Sequence, residues 1–175
     1  NPTVQILTNG TYVMAFNSGM CFGKEMIGTA ISHGGWRGPW QLLGHNAVLR
    51  NSDDDTPYIS EDPMLWLSHR GWHLLTHSYG QSISSYAYST EGLTWTVSPS
   101  APYNWTIFYT DGTSADLNKC ERPKLFFGDA TSGDASNSPY RQPLFLVNGA
   151  RSLNPAGGKR TWTMIRPLTT AATAV

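Results

Sequence analysis

Apolar and polar residues alternate in short runs along this chain, and turn residues break the runs at close intervals. That period-two pattern predicts strands rather than helices. The clearest runs are Glu61-Asp62-Pro63-Met64-Leu65-Trp66 and Trp72-His73-Leu74-Leu75-Thr76-His77. Ser68-His69-Arg70-Gly71 separates them, which predicts a β-hairpin with a polar, glycine-containing turn. Pro63 suits the first position of its strand, where no ladder N–H is needed. The pattern recurs on both sides. Upstream, Asn1-Pro2-Thr3-Val4 leads through Asn9-Gly10 to Tyr12-Val13-Met14-Ala15-Phe16. Downstream, Glu121-Arg122-Pro123-Lys124-Leu125-Phe126-Phe127 is followed by the return strand Leu144-Phe145-Leu146-Val147-Asn148. Pro2, Pro63 and Pro123 stand 61 and 60 residues apart, a spacing that marks repeated supersecondary units.

Each unit also offers a third strand and a weaker fourth. Gly28-Thr29-Ala30-Ile31-Ser32 and Tyr86-Ala87-Tyr88-Ser89 are third strands, with a shorter echo at Thr161-Trp162-Thr163-Met164-Ile165. The fourth-strand candidates are Ala47-Val48-Leu49-Arg50 and Trp105-Thr106-Ile107-Phe108-Tyr109, the latter followed by the hairpin signal Asp111-Gly112. All-β units of four strands in series predict a β-propeller, with blades at residues 1–60, 61–120 and 121–168 and a C-terminal tail at 169–175. Three blades fall below the usual minimum of about four. The expectation is therefore a missing N-terminal portion of about two blades, or a second chain, that completes the ring. An open arc would also present unpaired strand edges and favour self-assembly.

The chain has 175 residues, enough for a sizeable core. Charged residues are 14% of it and balance to zero, which gives no electrostatic case for nucleic acid or an anionic membrane. No apolar run is long enough to span a bilayer. Seven Trp and eight Tyr suit both sheet packing and sugar stacking. Asn9-Gly10-Thr11 and Asn104-Trp105-Thr106 are N-glycosylation sequons at turns or strand ends, which favours a secreted, extracellular glycoprotein. Cys21 and Cys120 allow one disulfide, with two buried free thiols as the open alternative.

Several polar groups are candidates for chemistry. Asn51-Ser52-Asp53-Asp54-Asp55-Thr56 has the carboxylates of a calcium loop but no standard spacing, so a solvated connection competes with a structural calcium ion. Residues 128–139 form a polar insertion in the third hairpin. His77 closes its strand on the same side as Glu61, as a sugar or metal ligand or as a strand-end histidine. His73 alternates away as a packing or solvent-facing residue, and His33 and His45 lie in loops. No His or Cys pair has zinc spacing, so no metal site is expected. The carboxylates before the repeat prolines have a plain structural role open to them, accepting turn N–H groups.

The blade starts Glu61-Asp62-Pro63 and Glu121-Arg122-Pro123, with the hairpin at 72–77 and the Ala87-to-Trp95 segment, resemble secreted five-bladed propeller proteins related to glycoside hydrolase family 43 and the arabinanases. The resemblance runs nearly end to end and is to the C-terminal three blades, with Ile165-Arg166-Pro167-Leu168 similar to the terminal strand. Ser89-to-Trp95 is similar, more loosely, to the Asp-box turn of sialidase propellers. The family implies a carbohydrate-active protein with a shallow glycan pocket where the innermost strands begin, and acidic groups at successive blade starts. Glu61, Asp62 and Glu121 are the catalytic positions so implied, with Asn1, His77, Arg122 and Asn148 as substrate-binding positions. Inversion needs an acid and a base about 6.5–9.5 Å apart. Asn1 cannot be a base, and Glu121 precedes an arginine that favours the ionised form, a poor general acid. A non-catalytic glycan-binding or structural glycoprotein is therefore the alternative.

Overall fold

A computed structural model of the chain describes residues 1–19, 25–44, 48–50, 59–78, 84–127, 143–152 and 160–168. Among these residues there is no helix. Twelve strands form three four-stranded antiparallel sheets. Sheet one runs β1 (Thr3–Ile6), β2 (Tyr12–Ser18), β3 (Met26–Ser32) and β4 (Gln41–Leu42). Sheet two runs β5 (Ser60–Ser68), β6 (Gly71–Ser78), β7 (Ser84–Ser89) and β8 (Thr96–Val97). Sheet three holds β9 (Thr106–Phe108), β10 (Ser114–Phe127), β11 (Pro143–Ser152) and β12 (Thr161–Pro167), in the order β12-β11-β10-β9.

The predicted central hairpin forms with Leu67 opposite Trp72 and Ser68 opposite Gly71. Gly71 is required there. Its φ is +113°, and an added Cβ would lie 2.4 Å from the Ser89 carbonyl oxygen. Pro63 is not a first residue, however, because β5 begins at Ser60. The ladder tolerates it through a bulge: Glu61 pairs with His77 and Met64 with Leu75, so three steps on one strand match two on the other. The bulge recurs between Glu121 and Lys124, around Pro123. The residue before each proline is left-handed, Asp62 at φ 55° and Arg122 at φ 56°. For side chains other than glycine this conformation costs about 1–2 kcal/mol.

Paired residues share a sheet face, so the ladders show how the sheets stack. Val13, Ala15 and Ile27 of sheet one pack on Leu65, Leu67, Trp72, Leu74 and Ala87 of sheet two. The opposite face of sheet two, with Met64, Trp66, Leu75 and Tyr86, packs on Leu117, Cys120, Leu146, Ala150 and Met164 of sheet three. Sheet two is thus buried on both faces, and adjacent Leu74 and Leu75 enter different cores. The direction of stacking repeats. The second residue after a repeat proline faces the preceding sheet (Leu65, Leu125), while its counterpart Val4 has no preceding sheet among the described residues and is exposed. The strands that follow the prolines lie side by side: Leu65 N–H donates to Thr3 Oγ1 at 3.4 Å, and Lys124 Nζ to the Pro63 carbonyl at 3.1 Å.

The fourth strands differ from expectation. In sheet one the fourth strand is Gln41–Leu42; of the expected segment, Val48 continues along β3 through its N–H to the Ile27 carbonyl, and Leu49 is buried in the core. Residues 105–109 do not complete sheet two. Their strand β9 folds back through Asp111-Gly112 onto the start of β10, because that hairpin is a shorter closure than a return to β7, and β8 takes the edge of sheet two. Cys21, His45, Ala47, the acidic run at 51–56, the insertion at 128–139 and the tail at 169–175 lie outside the described residues.

Candidate functional site

In an antiparallel sheet the start of the first strand, the end of the second and the start of the third share one edge. That edge carries Asn1, Asn17 and Glu25 in sheet one, and Glu61, Asp62 and His77 in sheet two. The bulge supplies the rest of the geometry. Consecutive strand residues normally point to opposite faces, but the left-handed turn at Asp62 brings its carboxylate beside that of Glu61. Ligand atoms of Glu61, Asp62 and His77 all lie within 4.8 Å of one another. His77 Nδ1 is 3.1 Å from Glu61 Oε1. Asn1 Nδ2 donates to Asp62 Oδ1, and the Asp62 N–H donates to Asn17 Oδ1 at 3.0 Å. Asn17 Nδ2 in turn donates to Glu25 Oε2 at 3.1 Å. Sheets one and two are joined at this edge by the Ser60 N–H and the Glu25 carbonyl.

Crowded carboxyls favour a bound proton. Asp62 is only 3% exposed, and burial, followed by the negative charge of Glu61, pushes its carboxyl above the ordinary range; Arg122, His77 and the Asn1 amide act the other way. Glu25 is raised chiefly by its hydrogen bond with Glu61, then by burial and by the charges of Glu61 and Asp62. Burial and the neighbouring carboxyls thus push Asp62 and Glu25 in the same direction, with His77 and two amides around them. The same donors, two carboxylates and an imidazole, could hold a hard divalent cation, a donor set that zinc-type His and Cys spacing does not reveal.

Glu121 and Arg122 occupy the matching bulge of sheet three. Glu121 is ion-paired with Lys119 rather than with its neighbour Arg122. Arg122 is exposed and near enough to Asp62 to oppose its protonation. Asn148 is buried beneath this bulge, and its Nδ2 lies 3.4 Å from the Glu121 carbonyl, so it braces the strand instead of meeting solvent. Above the bulge opens a cleft of about 570 Å³, lined in part by Lys119, Glu121, Arg122, Gly149, Arg151 and Trp162.

Glu25 and Asn17 were missed in the sequence, where neither stands at a repeat proline or in a recognised motif. Strand order was the available signal, since a carboxylate at the head of a third antiparallel strand shares the edge of the first. Asn9 and Asn104 are exposed, and each accepts the N–H of the threonine two residues on, at 3.0 Å and 3.1 Å. Cys120 is a free thiol buried between sheets two and three, with Arg166 Nη2 3.5 Å from its sulfur. The pairing partner expected for it, Cys21, is among the residues not described. His73 is half-buried, stacked on Trp66 at 4.8 Å and hydrogen-bonded to Ser68 and Tyr86 at 2.6 Å and 2.7 Å. His33 contacts Thr11 Oγ1 at 3.2 Å. Neither histidine is at the carboxyl edge. No family model and no curated protein matches this chain.

Proposed function

We propose that the three sheets are successive blades of a β-propeller akin to the five-bladed proteins of glycoside hydrolase family 43, and that the chain is a secreted, carbohydrate-active protein whose site is the carboxyl edge. The convergence of Glu25, Glu61, Asp62 and His77 on one edge carries this reading. The repeated stacking direction and the adjacent inner strands support the propeller. The exposed outer faces of sheet one (Val4, Ile6) and sheet three (Phe126, Ile165) are where further blades, or another copy of the chain, would seat. The exposed sequons at Asn9 and Asn104 support export.

Glycoside hydrolysis needs a proton for the leaving oxygen and a carboxylate to activate water. Glu61 and Asp62 lie too close to act on opposite sides of an anomeric carbon, since inversion needs about 6.5–9.5 Å between carboxyls. The pair must span two sheets. The Glu25–Glu61 carboxyl pair, with Asp62 beneath it, holds the proton that passes to the leaving oxygen. Glu121 presents the carboxylate that takes a proton from water, and Arg122 between them orients the sugar. Hydrolysis of aryl arabinosides, xylosides and galactosides by the purified protein tests this. Glu61→Gln and Glu121→Gln are each expected to lower kcat at least about a hundredfold. No turnover on any of these substrates by the wild type would sink the catalytic version.

A second reading has its own observation in favour. Glu121 is tied to Lys119 and Asp62 to the Asn1 amide, where a second free carboxylate would be expected. A protein that keeps the pocket but not the chemistry would bind glycans without turning them over, and the same panel separates the two.

A further inference from the structure

Trp36 is a large aromatic side chain that no core absorbs. It stands in the β3–β4 loop, on the edge of sheet one opposite the carboxyl groups, and is 64% exposed. Arg37 lies over one face of its ring, 4.2 Å from the centroid, which leaves the other face to solvent. The loop beneath is built to hold one shape. Ser32 Oγ donates to the Gly35 carbonyl at 2.8 Å, the Gly38 N–H donates to the same carbonyl at 3.1 Å, and Trp40 Nε1 donates to the Trp36 carbonyl at 3.3 Å. The two arms of the loop touch, so that a Cβ on Gly34 would lie 2.4 Å from the Gly38 carbonyl oxygen. An indole carried on a loop closed in this way loses little freedom when a ligand arrives.

Blade packing does not account for Trp36, as its counterpart in sheet two shows. The β7–β8 loop follows the same plan: Ser89 at its start bonds the Gly92 N–H three residues on, Gly92 shares the φ of 82° seen at Gly35, and Trp95 closes the loop as Trp40 does. The ring beside Gly92 is Trp72, and the ring beside Gly35 is Tyr12. Trp72 and Trp95 pack on the core between sheets one and two, so Tyr12 and Trp40 are the residues that a blade preceding sheet one would cover. The residue matching Trp36 is Leu93. It stays 63% exposed although its sheet already has a neighbour on that side. Trp36 would stay open in a complete ring in the same way.

An indole face of this kind suits a sugar ring. The face of an aromatic ring is negative and attracts the weakly positive C–H bonds on the flat side of a pyranose, while Arg37 braces the indole from behind. The exposed residues around it in the loop, His33, Gly34, Arg37 and Pro39, include no second large apolar side chain. The surface is therefore a ring-sized platform rather than an apolar patch for a protein.

We propose that Trp36 is a stacking platform for one pyranose ring of a polysaccharide, a second glycan-binding site on the edge opposite the carboxyl groups. The ligand class rests on the carbohydrate reading above, whereas the place of the site does not depend on it. Such a platform keeps the protein on its polymer while the carboxyl edge is empty.

Affinity electrophoresis through gels containing soluble xylan, galactan or mannan tests it, on protein made without N-glycans because Asn9 lies on the same edge. Glu61→Gln weakens the carboxyl edge, so retardation of that variant reads the second site. At least one polymer is expected to retard it, and adding Trp36→Ala should weaken that binding at least about tenfold at an unchanged Tm. Trp36→Tyr in its place keeps a ring face and should hold the affinity within about threefold. Binding that Trp36→Ala leaves unchanged, or that Trp36→Tyr fails to retain, would overturn the platform. So would a Glu61→Gln protein that no polymer retards while the wild type is retarded or turns over aryl glycosides, a result that leaves the carbohydrate reading intact. A wild type that is neither retarded nor active would overturn both.

Discussion

Replacing Asp62 by Asn changes one charge and little else. Asn tolerates the left-handed φ of 55° as well as Asp does, its side-chain oxygen can still accept from Asn1, and the backbone N–H bond to Asn17 is untouched. The wild-type carboxyl is raised above 3.8 by burial and by Glu61, so the folded state binds this proton more tightly than the unfolded state. The resulting stabilisation is complete below the unfolded value and is lost as pH rises through the folded one. Within that window the unfolded chain has released the proton and the folded chain has not, so unfolding free energy falls by up to about 1.4 kcal/mol per pH unit. For a chain of this size each kcal/mol moves Tm by about 2–4 °C. The Tm of Asp62→Asn minus that of the wild type should therefore climb by about 3–5 °C per pH unit from just above pH 4, then level off once Asp62 is ionised in the folded state. Thermal melts at half-unit steps from pH 3 to 8 measure it. Glu25, raised in the same sense, leaves a residual slope in both proteins. A difference that does not vary with pH, or that shrinks as pH rises, would refute the picture of a buried, proton-holding carboxyl edge.

Other perturbations separate the remaining parts of the account. Gly71→Ala meets the Ser89 carbonyl at 2.4 Å, whereas Gly112→Ala at φ 85° meets nothing within 4 Å. Urea midpoints should show about 1–2 kcal/mol for Gly112→Ala and over about 3 kcal/mol for Gly71→Ala, and equal costs would discredit the hairpin geometry. Leu74→Ala, at a fully buried position, should cost about 2–5 kcal/mol, while Ile165→Ala on the open face of sheet three should cost under about 0.5 kcal/mol. A core-like cost for Ile165 would mean that something covers that face in solution. Burial pushes the Cys120 thiol up, so iodoacetamide should leave it unmodified in the native protein and alkylate it in urea, as read by peptide mass. Alkylation at equal rates in both states would contradict its burial.

Strand periodicity made the all-β character and the central hairpin legible, because alternating burial leaves a direct imprint on residues such as Leu65, Leu67, Trp72 and Leu74. The proline spacing likewise marked three related segments, and the strand residues that follow the prolines lie beside their neighbours. Edge strands were less legible. β4 and β8 have two residues each and little apolar content, and the stronger pattern at residues 105–109 went to a local hairpin whose closure is shorter. The site was visible as far as the chain's own repeats could carry it, through Glu61, Asp62 and His77. Glu25 was invisible because its partner is made by strand order and a bulge, and a one-residue bulge changes which side chains share a face without changing composition. The ion pairing of Glu121 was hidden for a related reason. The sequence places Arg122 next to Glu121, but the strand gives Glu121 to Lys119, two positions back on the same face.

The most direct test of a carbohydrate site at the carboxyl edge is the Kd of neutral arabino- and galacto-oligosaccharides for the wild type and for Glu61→Gln, measured by titration calorimetry at one pH on proteins of matched Tm. Saturable binding by the wild type, weakened at least about tenfold by Glu61→Gln, is the predicted result. Binding of equal strength by both proteins, or by neither, would contradict it.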